Sequence, residues 1–386
     1  MLESKQPIHP KMQPMTQTSV LEIVLGSLKD QGDPLADAVI SDYQDASEAT
    51  RHLLNQGMTQ GLVSIPHAPA TFRQLLHKAE KNVSDMSAAT LSRARVAYWV
   101  IDPIWISLSQ GPGSLVHTYS DPGIAAVLTA TGKLSESRAA RRLLETLIWN
   151  ISILRPDGLV IGGKGYVRTL QVRLLHARIR SSLIEKGWTV SGGGVPIDQW
   201  QMIRTWLDFT VVAFRSLTRV GFDFNHEQHH AILEMWRLVG RLLGIDDRVM
   251  SLLKSAQDAE GWLARMDAVA PQPTEQSKSL TRHALNAVGT RLAKAWDIPT
   301  DVAILFAESL CRLFHGETLA DQLGLSPNWT AALLPAQADA NRYRMWRAAQ
   351  DESFKRALME RNQKGFDAIE GSLGGSAAFE QFSQVS

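Results

Sequence analysis

The chain has 386 residues, 44% of them hydrophobic and 20% charged, which is enough apolar material for a globular fold with a sizeable core. Forty basic and 39 acidic residues leave a formal net charge of +1, so there is no long-range pull toward nucleic acid or an anionic membrane. The single cysteine, Cys311, excludes an intrachain disulfide, an iron–sulfur site and a cysteine-rich zinc site, and points to a reducing compartment.

Residues 1–17 are polar and rich in Pro and Met and read as a disordered tail. They carry neither a basic-then-apolar pattern nor a twin-arginine pair, so no secretory signal is expected and the cytoplasm is the default. No apolar run is long enough to span a membrane; the nearest, Val96 to Val116, is interrupted by Asp102, Pro103, Gly111, Pro112 and Gly113. Eleven Trp against five Tyr suit a helical protein with a bulky apolar pocket.

Apolar residues recur at three- and four-residue spacing almost throughout, which predicts helices. The candidates are Ser19–Lys29, Ala89–Val100, Ser135–Leu154, Tyr166–Lys186, Ile197–Val220, Asn225 to Leu243, and about 280–295, 299–314 and 338–362. A turn at Arg155–Gly158 stops one of them, and Gly158–Gly165 (GLVIGGKG) comes next as a flexible glycine-rich connector. Ser191–Pro196 reads as a loop and 271–279 as a polar linker. The expected architecture is all-α, a multi-helix, globin-like core with additional helices over 18–370, then a flexible tail over 371–386.

Chemistry concentrates on the helix Tyr166–Lys186. At 100° per residue, Val172, Ile179 and Leu183 fall within about 60° of His176 on one side, and Arg173 and Arg180 within about 60° on the other. Thr169 lies on the histidine's own stripe, two turns earlier. An imidazole between an apolar strip and two guanidiniums is what a heme requires: an axial nitrogen, packing for the macrocycle, and planar forks for the propionates. The same pattern also occurs on ordinary amphipathic helices.

Four segments in order carry a family likeness: RLLET (Arg142–Thr146), VRLLHARIR (Val172–Arg180), GVPIDQ (Gly194–Gln199) and MWRLVGRLLG (Met235–Gly244), with GETLADQLGL (Gly316–Leu325) later. Together, over roughly residues 90–340, they resemble the latex-clearing-protein and MpaB-type oxygenase family. The resemblance implies an all-helical core, heme b held by His176 as axial ligand, with Arg173 and Arg180 beside it, and O2-dependent chemistry on an apolar, isoprenoid-like or unsaturated molecule. Its rubber-cleaving branch carries an Arg-x-x-Lys-Thr motif that falls on Arg142, Glu145 and Thr146 here. These three and Trp149 share a helix face. Glu145 reverses the charge of the branch's lysine, and a carboxylate there is a candidate general base. With no export signal in view, a small molecule rather than a polymer is the expected substrate.

Two alternatives stay open: a non-catalytic heme protein (a sensor or carrier), and a zinc hydrolase. The zinc reading rests on His226, Glu227 and His230, which match H-E-x-x-H, but the pattern starts at a helix's first turn and lacks an evident third ligand. Gly162–Gly165 lacks the Walker spacing. Cys311 reads as core, His117 and Tyr119 as neighbours of a turn at Asp121-Pro122-Gly123, and His315 as structural.

Overall fold

The computed structural model describes residues 26–131, 136–189 and 194–382. No strand occurs among them, so the all-α expectation holds. In chain order the α-helices are α1 (Pro34–Gln44), α2 (Glu48–Gln60), α3 (Ala70–Ser84), α4 (Ala88–Trp99), α5 (Pro103–Leu108), α6 (Val116–Ser120), α7 (Pro122–Ala130), α8 (Glu136–Leu154), α9 (Lys164–Glu185) and α10 (Gln199–Leu207). Then come α11 (Ala213–Arg219), α12 (His226–Leu242), α13 (Asp247–Leu252), α14 (Ala256–Ala268), α15 (Glu275–Trp296), α16 (Thr300–His315), α17 (Glu317–Gln322), α18 (Leu334–Gln350) and α19 (Glu352–Gly371). Two π-helical segments, π1 (Ser109–Leu115) and π2 (Asp208–Val212), lie within longer helical runs.

Most helix starts are set by their caps. Asn225 and Gln228 form a capping box on α12, and Thr274 with Ser277 forms one on α15. The second box places Glu275 onward in a helix, so half of the expected linker 271–279 is helical. Asp102 and Asp121 each cap a helix with Pro at its first position, so Asp102-Pro103 starts α5 and Asp121-Pro122 starts α7. The expected single helix 338–362 is two, divided at Asp351, whose carboxylate accepts from the Ser353 and Phe354 amides.

The connector between α8 and α9 is tight rather than flexible. A Cβ on Gly165 would lie 2.7 Å from the Ser152 carbonyl, so the start of α9 presses on the last turns of α8. Gly162 has φ +79, and a Cβ there would meet the Thr59 carbonyl at 2.3 Å. Nor does the glycine–proline stretch 111–113 break its helix. It continues as π1, wholly buried, with Pro112 inside it. A π turn widens the helix at the residue that cannot donate, and frees carbonyls for other partners.

α9 lies between α8, α1, α12 and the short 3-10 turn Ala378–Phe382. The tail expected from Gly371 is therefore corrected over that turn: Ala377, Phe379 and Phe382 are buried, and Phe382 meets Tyr43 edge-on at 5.5 Å. The tail expected over 1–17 lies outside the described residues. Indoles mostly fill the core: Trp149, Phe209 and Trp236 pack mutually at 6.1–6.2 Å, and Trp236 Nε1 donates to Tyr98 Oη at 3.1 Å.

Candidate functional site

His176 sits mid-way along α9, held by contacts on both flanks. Two turns earlier, Thr169 Oγ1 accepts from Trp149 Nε1 at 3.0 Å and itself donates to the Gly165 carbonyl at 2.6 Å, which joins α9 to α8. One turn either way, Arg173 and Arg180 are buried. Arg173 Nε and Nη2 donate to both oxygens of Asp33 at 2.6 and 2.9 Å. Arg180 Nε donates to Asp37 at 2.9 Å and its Nη1 to the Ile197 carbonyl at 2.6 Å. Asp33 also caps α1, accepting from the Ala36 amide at 3.2 Å. Burial pulls the Asp33 carboxyl upward, but the Arg173 charge and hydrogen bonds outweigh it and hold the group below its ordinary value.

These pairings correct one expectation. The forks of Arg173 and Arg180, expected to face propionates, are engaged by internal carboxylates; Arg173 Nη1 is left without a partner. The imidazole itself is unengaged at Nδ1, which is closed off from solvent and has no hydrogen-bond partner. Burial first, then the Arg180 charge, push His176 down to about 4 against a smaller opposing pull from Asp33. It is therefore a neutral imidazole with a lone pair at physiological pH, the form that ligates metal. An orphaned, desolvated ring nitrogen fits an axial ligand; the two arginines fit a pair of propionates less well.

Arg142, Glu145 and Thr146 do not converge. Arg142 Nη2 donates to the Leu128 carbonyl at 3.3 Å and to Thr131 Oγ1 at 3.2 Å. Glu145 Oε1 accepts from Arg141 Nε at 2.9 Å and from the Ala378 amide at 3.0 Å, so it anchors the 3-10 turn, and its expected role as a free base is corrected. Thr146 lines a cavity of about 800 Å3 between α5, π1, α8, α15 and α19. Trp149, expected on their face, is turned into the aromatic core.

The zinc pattern fares worse. His226 and His230 are exposed on the first turn of α12, while His229 packs edge-on against Phe214 and Phe224. Among the described residues no group of three or more His, Cys, Asp or Glu is placed to hold a metal.

The sequence pattern did not reveal a buried polar network across π1 and π2. His117 Nδ1 lies 2.7 Å from Asp208 Oδ1, and Thr118 Oγ1 donates to Asp208 Oδ2 at 2.7 Å. His315 stacks on His117 at 5.5 Å and pairs through Nε2 with the Pro112 carbonyl at 2.7 Å. Burial and the neighbouring His117 push His315 down to about 3, so it is neutral and donates there. His117 is thus fixed by a fully buried aspartate rather than sitting idle beside a turn.

The fold and this geometry define an all-helical protein in which the helix that bears His176 is packed on by several others. The chain belongs to the family described as ER-bound oxygenase mpaB/B'/Rubber oxygenase, catalytic domain, whose model matches residues 98–349. It is 25% identical over 235 residues to a rubber oxygenase of Streptomyces sp. (strain K30), a match spanning 59% of this chain and 56% of that protein. A solved structure of latex clearing protein in the closed state superposes with a TM-score of 0.63 at 18% identity, covering 91% of this chain and 90% of the other, which establishes a shared fold. No helix among the described residues is long and apolar enough to cross a membrane.

Proposed function

We propose that the chain is a heme b-dependent oxygenase acting with O2 on an apolar, unsaturated small molecule of isoprenoid-like character. The observation that carries this is His176: in an oxygenase family member, mid-helix, it is held neutral by burial with Nδ1 unpartnered. His176 would hold the iron, and Arg173 Nη1, buried and without a hydrogen-bond partner, is the neighbouring cationic nitrogen that a carboxylate of the macrocycle would answer. The heme, when bound, supplies the centre at which dioxygen is activated.

The protein's own residues do the remainder. Desolvation disfavours the protonated ring and keeps the imidazole lone pair free over a wider pH range than an ordinary histidine has. The Asp33–Arg173 and Asp37–Arg180 pairs fix the rotation of α9 about its axis, and with it the direction of His176. Thr146 offers a hydroxyl to a mostly apolar cavity. Position 145 carries the opposite charge to the rubber-cleaving branch and is committed to Arg141 and Ala378, which favours a small molecule over polymer cleavage.

The test is a visible spectrum of full-length protein from cells supplied with iron and a porphyrin precursor. A Soret band is expected in the wild type and in His226→Ala, and its loss in His176→Ala. Colourless wild type, or equal heme in both variants, would overturn the reading. Oxygen uptake that depends on an added apolar alkene then separates an enzyme from a carrier.

A further inference from the structure

The cavity lined by Thr146 has polar groups that the fold leaves unanswered. Its inner wall is apolar, formed by side chains such as Leu108, Leu115, Leu143 and Leu147. Gln110, on π1, is 6% exposed and lines the same wall, yet its Oε1 has no hydrogen-bond partner. Arg291, on α15, also lines the cavity. Burial pushes its guanidinium below the ordinary range, and no carboxylate of the described residues pairs with it. Holding a cation partly out of water without a counter-charge costs stability, so its retention against an apolar wall calls for a partner from outside.

The mouth has the same sign. Lys294 and Arg361 line it, against the single carboxylate of Asp102, which Arg361 engages at 3.1 Å. A cleft lined mainly by one sign of charge concentrates ligands of the other. A volume of about 800 Å3 lies within the usual range for a small-molecule site.

We propose that this cavity binds an elongated apolar molecule bearing one anionic headgroup, a carboxylate or a phosphate, with the headgroup on Arg291 and a second polar group of the ligand on Gln110. A guanidinium meets either headgroup with two parallel N–H donors, and the Gln110 carboxamide serves a hydroxyl or an oxygen according to how it is turned. The proposal goes beyond the oxygenase reading and does not rest on it: no residue of α9 lines the cavity, so what is named is the class of ligand this cavity takes.

Calorimetry on the full-length protein, with dodecanoate, dodecyl phosphate and dodecanol below their micellar concentrations, tests it without turnover. At least one anionic amphiphile is expected to bind about tenfold or more tighter than the alcohol, since tenfold corresponds to roughly 1.4 kcal/mol. The ranking of dodecanoate and dodecyl phosphate identifies the headgroup. Arg291→Gln is expected to bring the anions down to the alcohol's affinity and leave the alcohol unchanged, while Leu147→Trp weakens all three. Equal affinity for alcohol and anions, an unaltered Arg291→Gln profile, or no binding of any of the three would overturn it. Spectrum and titrations on the same wild-type protein separate the two readings: amphiphile binding by a colourless wild type sinks the heme assignment alone, and colour without amphiphile binding sinks the cavity assignment alone.

Discussion

Asp198 is a cap whose charge works against the fold. Its Oδ1 accepts from the Gln201 amide at 2.8 Å and starts α10. Burial raises the carboxyl to about 7, helped by Asp121 and Asp30 and opposed by that amide and Lys29. Between its ordinary value near 3.8 and about 7, the folded chain therefore keeps a proton that the unfolded chain has released. Stability falls as pH rises through that window, and the penalty is complete above it. Asparagine caps a helix as well as aspartate does. Asp198→Asn is expected to raise the melting temperature by several degrees at pH 8 and leave it nearly unchanged near pH 4. Equal shifts in thermal scans at both pH values would contradict this. At the same scale, His176 stood out in the sequence because its helix neighbours are local. Its fixing partners did not: Asp33 lies 140 residues from Arg173, and Asp37 lies 143 from Arg180. Arg291 was legible in principle, a cation set among the buried Ala284, Ala287 and Val288 of its own helix.

At the level of elements, periodicity located α4, α8, α9, α12 and α16 to within a few residues, but it named none of α1, α2, α3 or α14. It failed where the period changes. A π turn carries an extra residue, so a helical wheel drawn through 109–115 or 208–212 assigns the wrong face to the residues beyond the turn. Gln110, His117 and Asp208 all lie in or next to these segments, which is why neither the cavity wall nor the histidine network was read from the sequence. Glycine shows the same dependence on packing. In Gly165→Ala the new methyl would sit 2.7 and 2.8 Å from backbone atoms of α8 and the connector. The variant is expected to lose about 1–3 kcal/mol, the usual cost of overpacking. Gly261, within α14, has nothing within 4 Å of such a methyl, so Gly261→Ala is expected to gain about 0.5–1 kcal/mol from helix propensity. Urea midpoints at constant m decide both, and shifts of the same sign in the two variants would show that the α8–α9 approach is not close.

For the molecule as a whole, the all-α class was legible and the docking of 378–382 was not, since a short Ser/Gly-flanked segment has no period to read. That turn behaves as one unit. Glu380 pairs with Arg168 of α9 at 3.1 Å, the Ala378 amide with Glu145 of α8, and Phe382 is 0% exposed. Phe382→Ala is expected to release the whole turn, because the loss of a buried phenyl, about 3–5 kcal/mol at a site that cannot collapse, exceeds what a few surface-linked contacts recover. Limited proteolysis should then cut after residue 371 while the remaining chain stays folded and resistant. Unchanged protection of the segment would show that it docks residue by residue.

The docked turn also sets an order of events. Roughly 190 residues separate the end of α9 from the segment that covers it. At a synthesis rate of about 5–20 residues per second, the histidine-bearing helix waits on the order of ten seconds or more for that cover. During this interval Arg168 and Glu145 lack their later partners, and the nascent helix is open on the side that the mature protein closes. The groove beside α9 is therefore looser during translation than after release.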